Sequence, residues 1–422
     1  GALIEAGRLR RTVSGELNNH VHTRYSFSPY YPSSAAFKAW QAGLLAVGAM
    51  DHDSVAGCLE MLEASEKIGI ASTVGFELRV SMNGTAVEGK RLNNPDSKNI
   101  AYIAIHGISK NRLDEAAVFL APVLRARDLR NRRMVDKMNW TANRWGVEPV
   151  DYDRDVCALS LSAEGGSLTE RHLLFALAHK FLAAQKKGRQ LVDFLKEKAR
   201  IDLSDRIQSY LLDPENPHYE YDLLGVFKAR VVSEMYIQPN VDECPGVLTA
   251  VEFAERIGAI PAYAYLGDVS DSPTGDKKAE AFEDAFLDLL INELARLGFR
   301  AITYMPPRNS LEQLRRVRQL CTDHKFMEIS GVDINSSRQS FNCPELLTDE
   351  FRHLGLSAWA LIAHEKLSAF DPSYGLFHPG NPLVDAGLDR RIEVYGRIGA
   401  GMNSRDPGSI LSVARDILVR EV

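Results

Sequence analysis

Between Glu16 and about Leu113 the chain alternates short apolar runs with amphipathic stretches of helical period. That rhythm belongs to βαβ units and restricts the fold to an α/β architecture. Leu17 to His22, Leu45 to Met50, Ala71 to Val80 and Ile100 to His106 read as strands. Pro32 opens a helix that Gly43 closes, and Asp53 or Ser54 can cap a second one that stops at Gly69. Each of these strands carries a side chain able to bind a metal: His20 and His22, Asp51 and His52, Glu77, then His106. In (β/α) barrels the working groups stand at the carboxyl ends of successive strands, because the interior below is packed solid. The recurrence predicts a barrel with a site at one rim.

From about Asn111 to Asn240 the strand signals stop and helical periodicity takes over, first in the long, Arg-rich stretch Ala116 to Met138, then in Leu168 to Ala184 and Leu191 to Arg200. This predicts a helical insertion covering one end of the barrel. Its arginines, Arg125, Arg127, Arg130, Arg132 and Arg133, read as a solvated helix face. The βα rhythm resumes after Pro245 with strands Ala259 to Leu266, Ala301 to Met305 and Phe326 to Ile334, which brings the expected count to seven. The expected organisation is 1–113 as the first half of the barrel, 114–240 as the insertion, and 241–422 as the second half with a C-terminal extension. At 422 residues the chain exceeds one ordinary compact domain, so a single large barrel with an insertion, or two domains, is expected from length.

The net charge of −6 gives no global reason to bind nucleic acid or an anionic membrane. Five cysteines, odd in number and never in Cys-x-x-Cys spacing, fit a reducing compartment, so a cytoplasmic location is expected. No run reaches the roughly eighteen apolar residues of a membrane span. Neither a P-loop nor a dinucleotide glycine fingerprint is present. Oligomeric state is left open by the sequence.

His20 and His22 carry the first chemical signal. Side chains at i and i+2 of a strand point to the same face, so both imidazoles can reach one cation. Imidazole and carboxylate together suit Zn, Mn or Fe.

His20-Val21-His22, Asp51-His52-Asp53-Ser54 after a strand, Gly75-Phe76-Glu77, His106 and the late Gly331 to Asn335 form an ordered series that resembles the PHP (polymerase and histidinol phosphatase) superfamily. The resemblance covers about residues 16 to 113 and 245 to 340, and Leu168 to His172 is similar to the start of the helical insert of smaller PHP nucleotide phosphatases. It implies a distorted seven-stranded (β/α) TIM-like barrel of PHP type with one to three divalent ions. By position, His20, His22, Glu77 and Asp333 would hold a first ion, Glu77 and His106 a second, and His52 a third. The departures narrow this set. Where the family has Ser-Asp-Gly after His-x-His, this chain has Tyr25 to Tyr30 without a carboxylate. The closing Asp-x-His is Asp333-Ile334-Asn335, and Tyr263 and Tyr265 stand where a further His is expected. Asp51, Asp268, Asn335 and His364 are the residues available to compensate, the alternatives being support of a ligating imidazole, a turn or cap, or a place in the core or a loop.

A phosphorylated substrate would need cations near the metals. Arg24, directly after His22-Thr23, is the best placed by sequence and is assigned a catalytic role together with His52. Arg79, two residues after Glu77, faces the same side of its strand, and Arg338 follows another strand end. The expected function is metal-dependent hydrolysis of a small phosphomonoester or nucleotide by a metal-activated hydroxide. The alternatives are a PHP-like module that binds a phosphorylated ligand or partner without turnover, and an amidohydrolase-type enzyme on the same barrel.

Overall fold

The computed structural model describes Ile4, residues 9–94, 96–268 and 281–421. Seven strands form one sheet in chain order: β1 (Leu17–Val21), β2 (Ala46–His52), β3 (Ala71–Ser81), β4 (Ile100–His106), β5 (Ile260–Ala264), β6 (Ala301–Tyr304) and β7 (Met327–Ser330). β1, β2 and β3 pair in parallel, as do β5, β6 and β7. β4 runs antiparallel to both of its neighbours. The sheet curls into a nearly closed barrel: Val21 bridges Ile334 just beyond β7, and the His22 N–H donates to the Ile334 carbonyl at 3.0 Å. Lower in this seam side chains replace the ladder, with the buried amides of Asn18 and Asn19 donating to the Val332 and Ser330 carbonyls at 3.0 and 3.2 Å. The side-chain N–H groups of two asparagines in a fully buried strand thereby find acceptors.

The connections of the first half carry α1 (Pro32–Gln41) and α2 (Cys58–Ile68). A block of helices follows β4: α3 (Leu113–Trp145), α4 (Glu170–Ala184), α5 (Arg189–Asp193), α6 (Asp205–Leu212) and α7 (Tyr219–Met235). In the second half come α8 (Val247–Arg256), α9 (Leu287–Leu297), α10 (Leu311–His324), α11 (Arg352–Ser368), α12 (Leu388–Gly401) and α13 (Ile410–Leu418). Among the described residues no helix is long and apolar enough to cross a membrane.

Small side chains line part of the barrel interior. Ala46, Ala71, Ala104, Ala262 and Ala301 share a core with Leu361 and Ile362 of α11. Glu365 of α11 accepts the Thr73 hydroxyl and the Val74 N–H, both at 2.7 Å, so this helix anchors at the first residues of β3, away from the strand-end histidines. The stretch Ala358 to His364, unassigned from sequence, is therefore the middle of a helix.

Helices α3 to α7 enclose a core of their own, and one barrel residue enters it. Phe27, from the loop after β1, sits 4.9 Å from the His172 ring, 5.6 Å from Phe175 and 5.9 Å from Tyr221. The loop after β1 is thus where the barrel grips the helical block. Asp53 and Ser54 serve the same purpose rather than capping α2, whose N-cap is Gly57. Asp53 adopts the left-handed conformation at φ 51° and pairs with Arg127 of α3 at 2.8 Å, while the Ser54 hydroxyl donates to the Gly165 carbonyl at 2.8 Å.

Candidate metal centre

His20 and His22 close the first strand with their rings 5.1 Å apart, and His52, at the end of β2, lies opposite Glu77 in the β2–β3 register. All three imidazoles converge on carboxylates. His20 Nε2 is 3.4 Å from Glu77 Oε1, His22 Nε2 is 3.6 Å from Glu77 Oε2, and His52 Nδ1 is 3.1 Å from the same oxygen. Asp333 approaches from beyond β7, its Oδ1 3.1 Å from His22 Nε2. His20, His22 and Asp333 form one potential ligand group, and His22, His52 and Glu77 another, with the ligand atoms of each within 4.8 Å of one another. Nε2 of His20 and Nε2 of His22 are buried and make no hydrogen bond. Buried polar nitrogens are rarely left this way, and a cation among them would use their lone pairs.

A further set of contacts fixes His22. The Ser26 hydroxyl lies 3.4 Å from its Nδ1 and donates to Asp51 at 2.6 Å. Asp51 also accepts the Thr23 N–H and hydroxyl at 2.6 Å each. Its oxygens are occupied by the loop, so Asp51 acts on the imidazole through Ser26 rather than as a ligand itself.

The electrostatics favour a bound cation. Burial opposes ionisation of Glu77, yet the imidazoles of His20, His52 and His22 hold its carboxyl down at about 2. Burial lowers the His52 imidazole to about 3. Burial would also lower His22, but Asp333, Glu77 and Asp51 outweigh it and raise that imidazole. At neutral pH this places an ionised carboxylate beside neutral His52, whereas His22 is held toward its protonated form by the same carboxylates, so a cation bound there would displace its proton.

The cluster opens into a cavity of about 290 Å³, walled on one side by the barrel rim and on the other by α4 and α7. Phe27, Leu174, Val232 and Tyr236 give the helical wall an apolar part, and Arg171 and Lys228 add charge.

Several sequence expectations differ here. Arg24 does not line the cavity; its guanidinium stacks 4.9 Å from the Tyr31 ring centroid and donates to the Tyr31 hydroxyl. Arg338 is held by Asp222 at 2.7 Å and likewise lies outside. Asp268 organises its own loop, accepting the Phe282 N–H and donating its N–H to Asp284. His106 belongs to neither ligand group, because β4 is antiparallel and pairs His106 with Gly75, a layer below Glu77. Tyr102 is the β4 residue that reaches the cavity. His364 is buried, accepting the Leu376 N–H at 2.9 Å. Asn335 contacts Asp333 and is taken up below.

Arg79 does face the cavity, but inside an ionic cluster that sequence reading missed. Arg79, Arg127 and Arg130 are buried against Asp53, Glu170 and Glu243. Arg130 bonds Glu170 at 2.6 Å and Glu243 at 2.5 Å, Arg127 reaches Glu243 at 3.2 Å, and Arg79 bonds both glutamates. A signal was available. Arg127 and Arg130 fall on the buried stripe of α3 that runs Leu120, Val123, Arg127, Arg130, Met134, Met138, so an Arg-rich face was not all solvated.

No family model matches the chain, and no curated protein matches it. Solved structures do. A protein from Bifidobacterium adolescentis, whose name provisionally assigns it metal-dependent phosphoesterase activity, aligns at a TM-score of 0.53 and 19% identity over 81% of this chain and 96% of that one. An amidohydrolase from Chromobacterium violaceum, determined with bound sulfate and no metal, aligns at 0.47 and 15% identity over 78% and 93%. The shared feature with the first is the fold.

Proposed function

We propose that the chain is a metal-dependent hydrolase of a small phosphoester, built as a PHP-type barrel, with one divalent ion of the Zn, Mn or Fe kind held by His20, His22, Glu77 and Asp333 and adjoined by His52. One observation carries the reading: buried imidazole nitrogens that make no hydrogen bond and two carboxylates converge at a cavity whose opposite wall supplies Arg171. An imidazole nitrogen has one lone pair, so His22, common to both ligand groups, serves one ion. When bound, such an ion supplies Lewis acidity to the phosphoryl group and acidifies water. The chain's own residues do the rest. Ser26 and Asp51 hold the ring of His22 in orientation, Glu77 spans the imidazoles of β1 and β2, and the helical wall lines the opposite side of the cavity. The net reaction consumes one water and releases an alcohol and phosphate.

The test is phosphate release from a panel of nucleotides and sugar phosphates by protein loaded with Mn, Zn or Fe, with His22→Ala as control. Equal rates for wild type and variant would defeat the proposal. A second reading, a module that binds a phosphorylated ligand without turnover, is supported by His106 lying outside the ligand groups and by an amide at position 335, whose N–H donates to Asp333. Metal-dependent binding of a phosphoester with no release of phosphate would select it.

A further inference from the structure

Asn335 sits between two groups of opposite charge from different parts of the fold. Its amide N–H donates to Asp333 Oδ1 at 2.7 Å, and its amide oxygen accepts from the Arg171 guanidinium at 2.5 Å. Chemistry fixes the orientation of the amide, because a guanidinium can only donate and a carboxylate can only accept. Asp333 Oδ1 is in turn 3.1 Å from His22 Nε2. A continuous line of contacts thus runs from the first turn of α4 to the metal ligands, and Asn335 within it is buried.

Arg171 differs from Arg79 and Arg127, which line the same cavity. Arg79 and Arg127 are pinned between carboxylates, so their charges are spent within the protein. The hydrogen-bond partner of Arg171 is a neutral amide, and among the described residues no carboxylate pairs with it. A guanidinium carries five N–H donors, and one bond to Asn335 leaves most of them for whatever fills the cavity. Planar, charged and held at one edge, it suits a phosphate oxygen pair.

We propose that Asn335 is a positioning residue that holds the anion-binding guanidinium of Arg171 in register with the metal ligand Asp333, so that divalent cation and phosphate are bound as one unit. The inference rests on the phosphoester reading above. The position selects for an amide. Aspartate would accept from Arg171 but repel Asp333 and quench the guanidinium, and leucine would take away the hydrogen bond of Arg171 and leave Asp333 with His22 alone. In this chain the residue after Asp333-Ile334 therefore binds the substrate's anchor rather than the ion.

The test measures two affinities on the full chain: Mn binding by electron paramagnetic resonance, and orthophosphate binding to the Mn-loaded protein by calorimetry. For Asn335→Asp, Mn affinity should be retained or tightened while phosphate affinity falls about ten- to a hundredfold, the range expected for a charge-assisted hydrogen bond. Asn335→Leu should also weaken phosphate, about tenfold, with Mn affinity within about threefold of wild type. Arg171→Lys should keep part of the phosphate affinity that Arg171→Ala loses. Unchanged phosphate affinity in both Asn335 variants overturns the inference and leaves the phosphoester reading standing, because the wild type binds phosphate. Joint loss of Mn and phosphate in both also overturns it, since Asn335 would then merely support the metal ligands. If Mn-loaded wild type binds no phosphate, the reading and the inference fall together.

Discussion

Two buried polar clusters lie side by side at the barrel rim, and they are built on opposite rules. Around Glu243 three guanidiniums meet three carboxylates, and the charges cancel within the protein. Around Glu77 three imidazoles gather on two carboxylates, and among the described residues no guanidinium or ammonium forms an ion pair with either carboxylate. A closed account of charge holds parts of a fold together, while an open one asks for a ligand. The first cluster welds α3, α4 and the segment before α8 to the rim. The second cluster uses the rigid rim this creates.

The sharpest way to break the comparison is to open the closed cluster. Glu243→Gln leaves Arg79, Arg127 and Arg130 short of a carboxylate, and removing one partner of a buried ionic group costs about 3–5 kcal/mol. Chemical denaturation should show that loss with or without added metal. A loss below about 1 kcal/mol would mean the cluster is not compensated in the way described. The open cluster should behave differently. Glu77→Gln is expected to remove a stabilisation that exists only with the ion, about 2.7 kcal/mol when free Mn or Zn is a hundredfold above its Kd. Thermal unfolding with and without metal reads this directly. A variant that gains as much from metal as wild type would remove Glu77 from the ligand set.

Glu283 offers an intermediate case, a buried carboxylate with no cation beside it among the described residues. Its Oε1 accepts the Leu266 N–H at 2.8 Å, and burial raises its pKa to about 8, with Asp284 and Asp268 pushing the same way. The folded state therefore holds this proton more tightly than the unfolded chain does. Its contribution is fully present below the ordinary carboxyl pKa near 4.5 and is lost as pH rises toward 8. Glu283→Gln removes that dependence. Relative to wild type the variant should be gaining stability from about pH 5 upward, by about 2 kcal/mol at pH 8 once the amide's own burial is allowed for. A difference that does not change with pH would show that the carboxyl is not perturbed.

Much of the open cluster was legible in the sequence, and little of the closed one. His20, His22, His52 and Glu77 fall within one stretch of parallel strands, where the period of two and the repeated strand ends bring them to one rim. Arg127 and Glu243 are far apart in sequence, and nothing in local periodicity pairs them. His106 lies a layer lower than the strand-end pattern places it, because periodicity reports that a strand exists but not which way it runs. The polar stretch from Met82 to Asn99 held the missing clue. It contains no helix in which to cross over the sheet, as a parallel connection usually requires, and β4 accordingly returns antiparallel. Asp333 could be placed by its motif, whereas the role of Asn335 depends on Arg171 from the helical block.

Arg24 is the smallest and most discriminating case. Sequence proximity to His22 made it the first choice for binding phosphate, but its guanidinium lies on Tyr31, outside the cavity, where an exposed stacking contact is worth about 0.5–1 kcal/mol. Arg24→Ala should therefore lower stability by no more than that and leave orthophosphate affinity within about twofold of wild type, a change of under half a kcal/mol. Arg171→Ala, measured in the same calorimeter, should lose at least about tenfold. If the two variants exchange these outcomes, the anion is recognised from the β1 loop and not from α4. The helical wall would then be a cover, and the contacts from Arg171 through Asn335 to Asp333 would serve the fold alone.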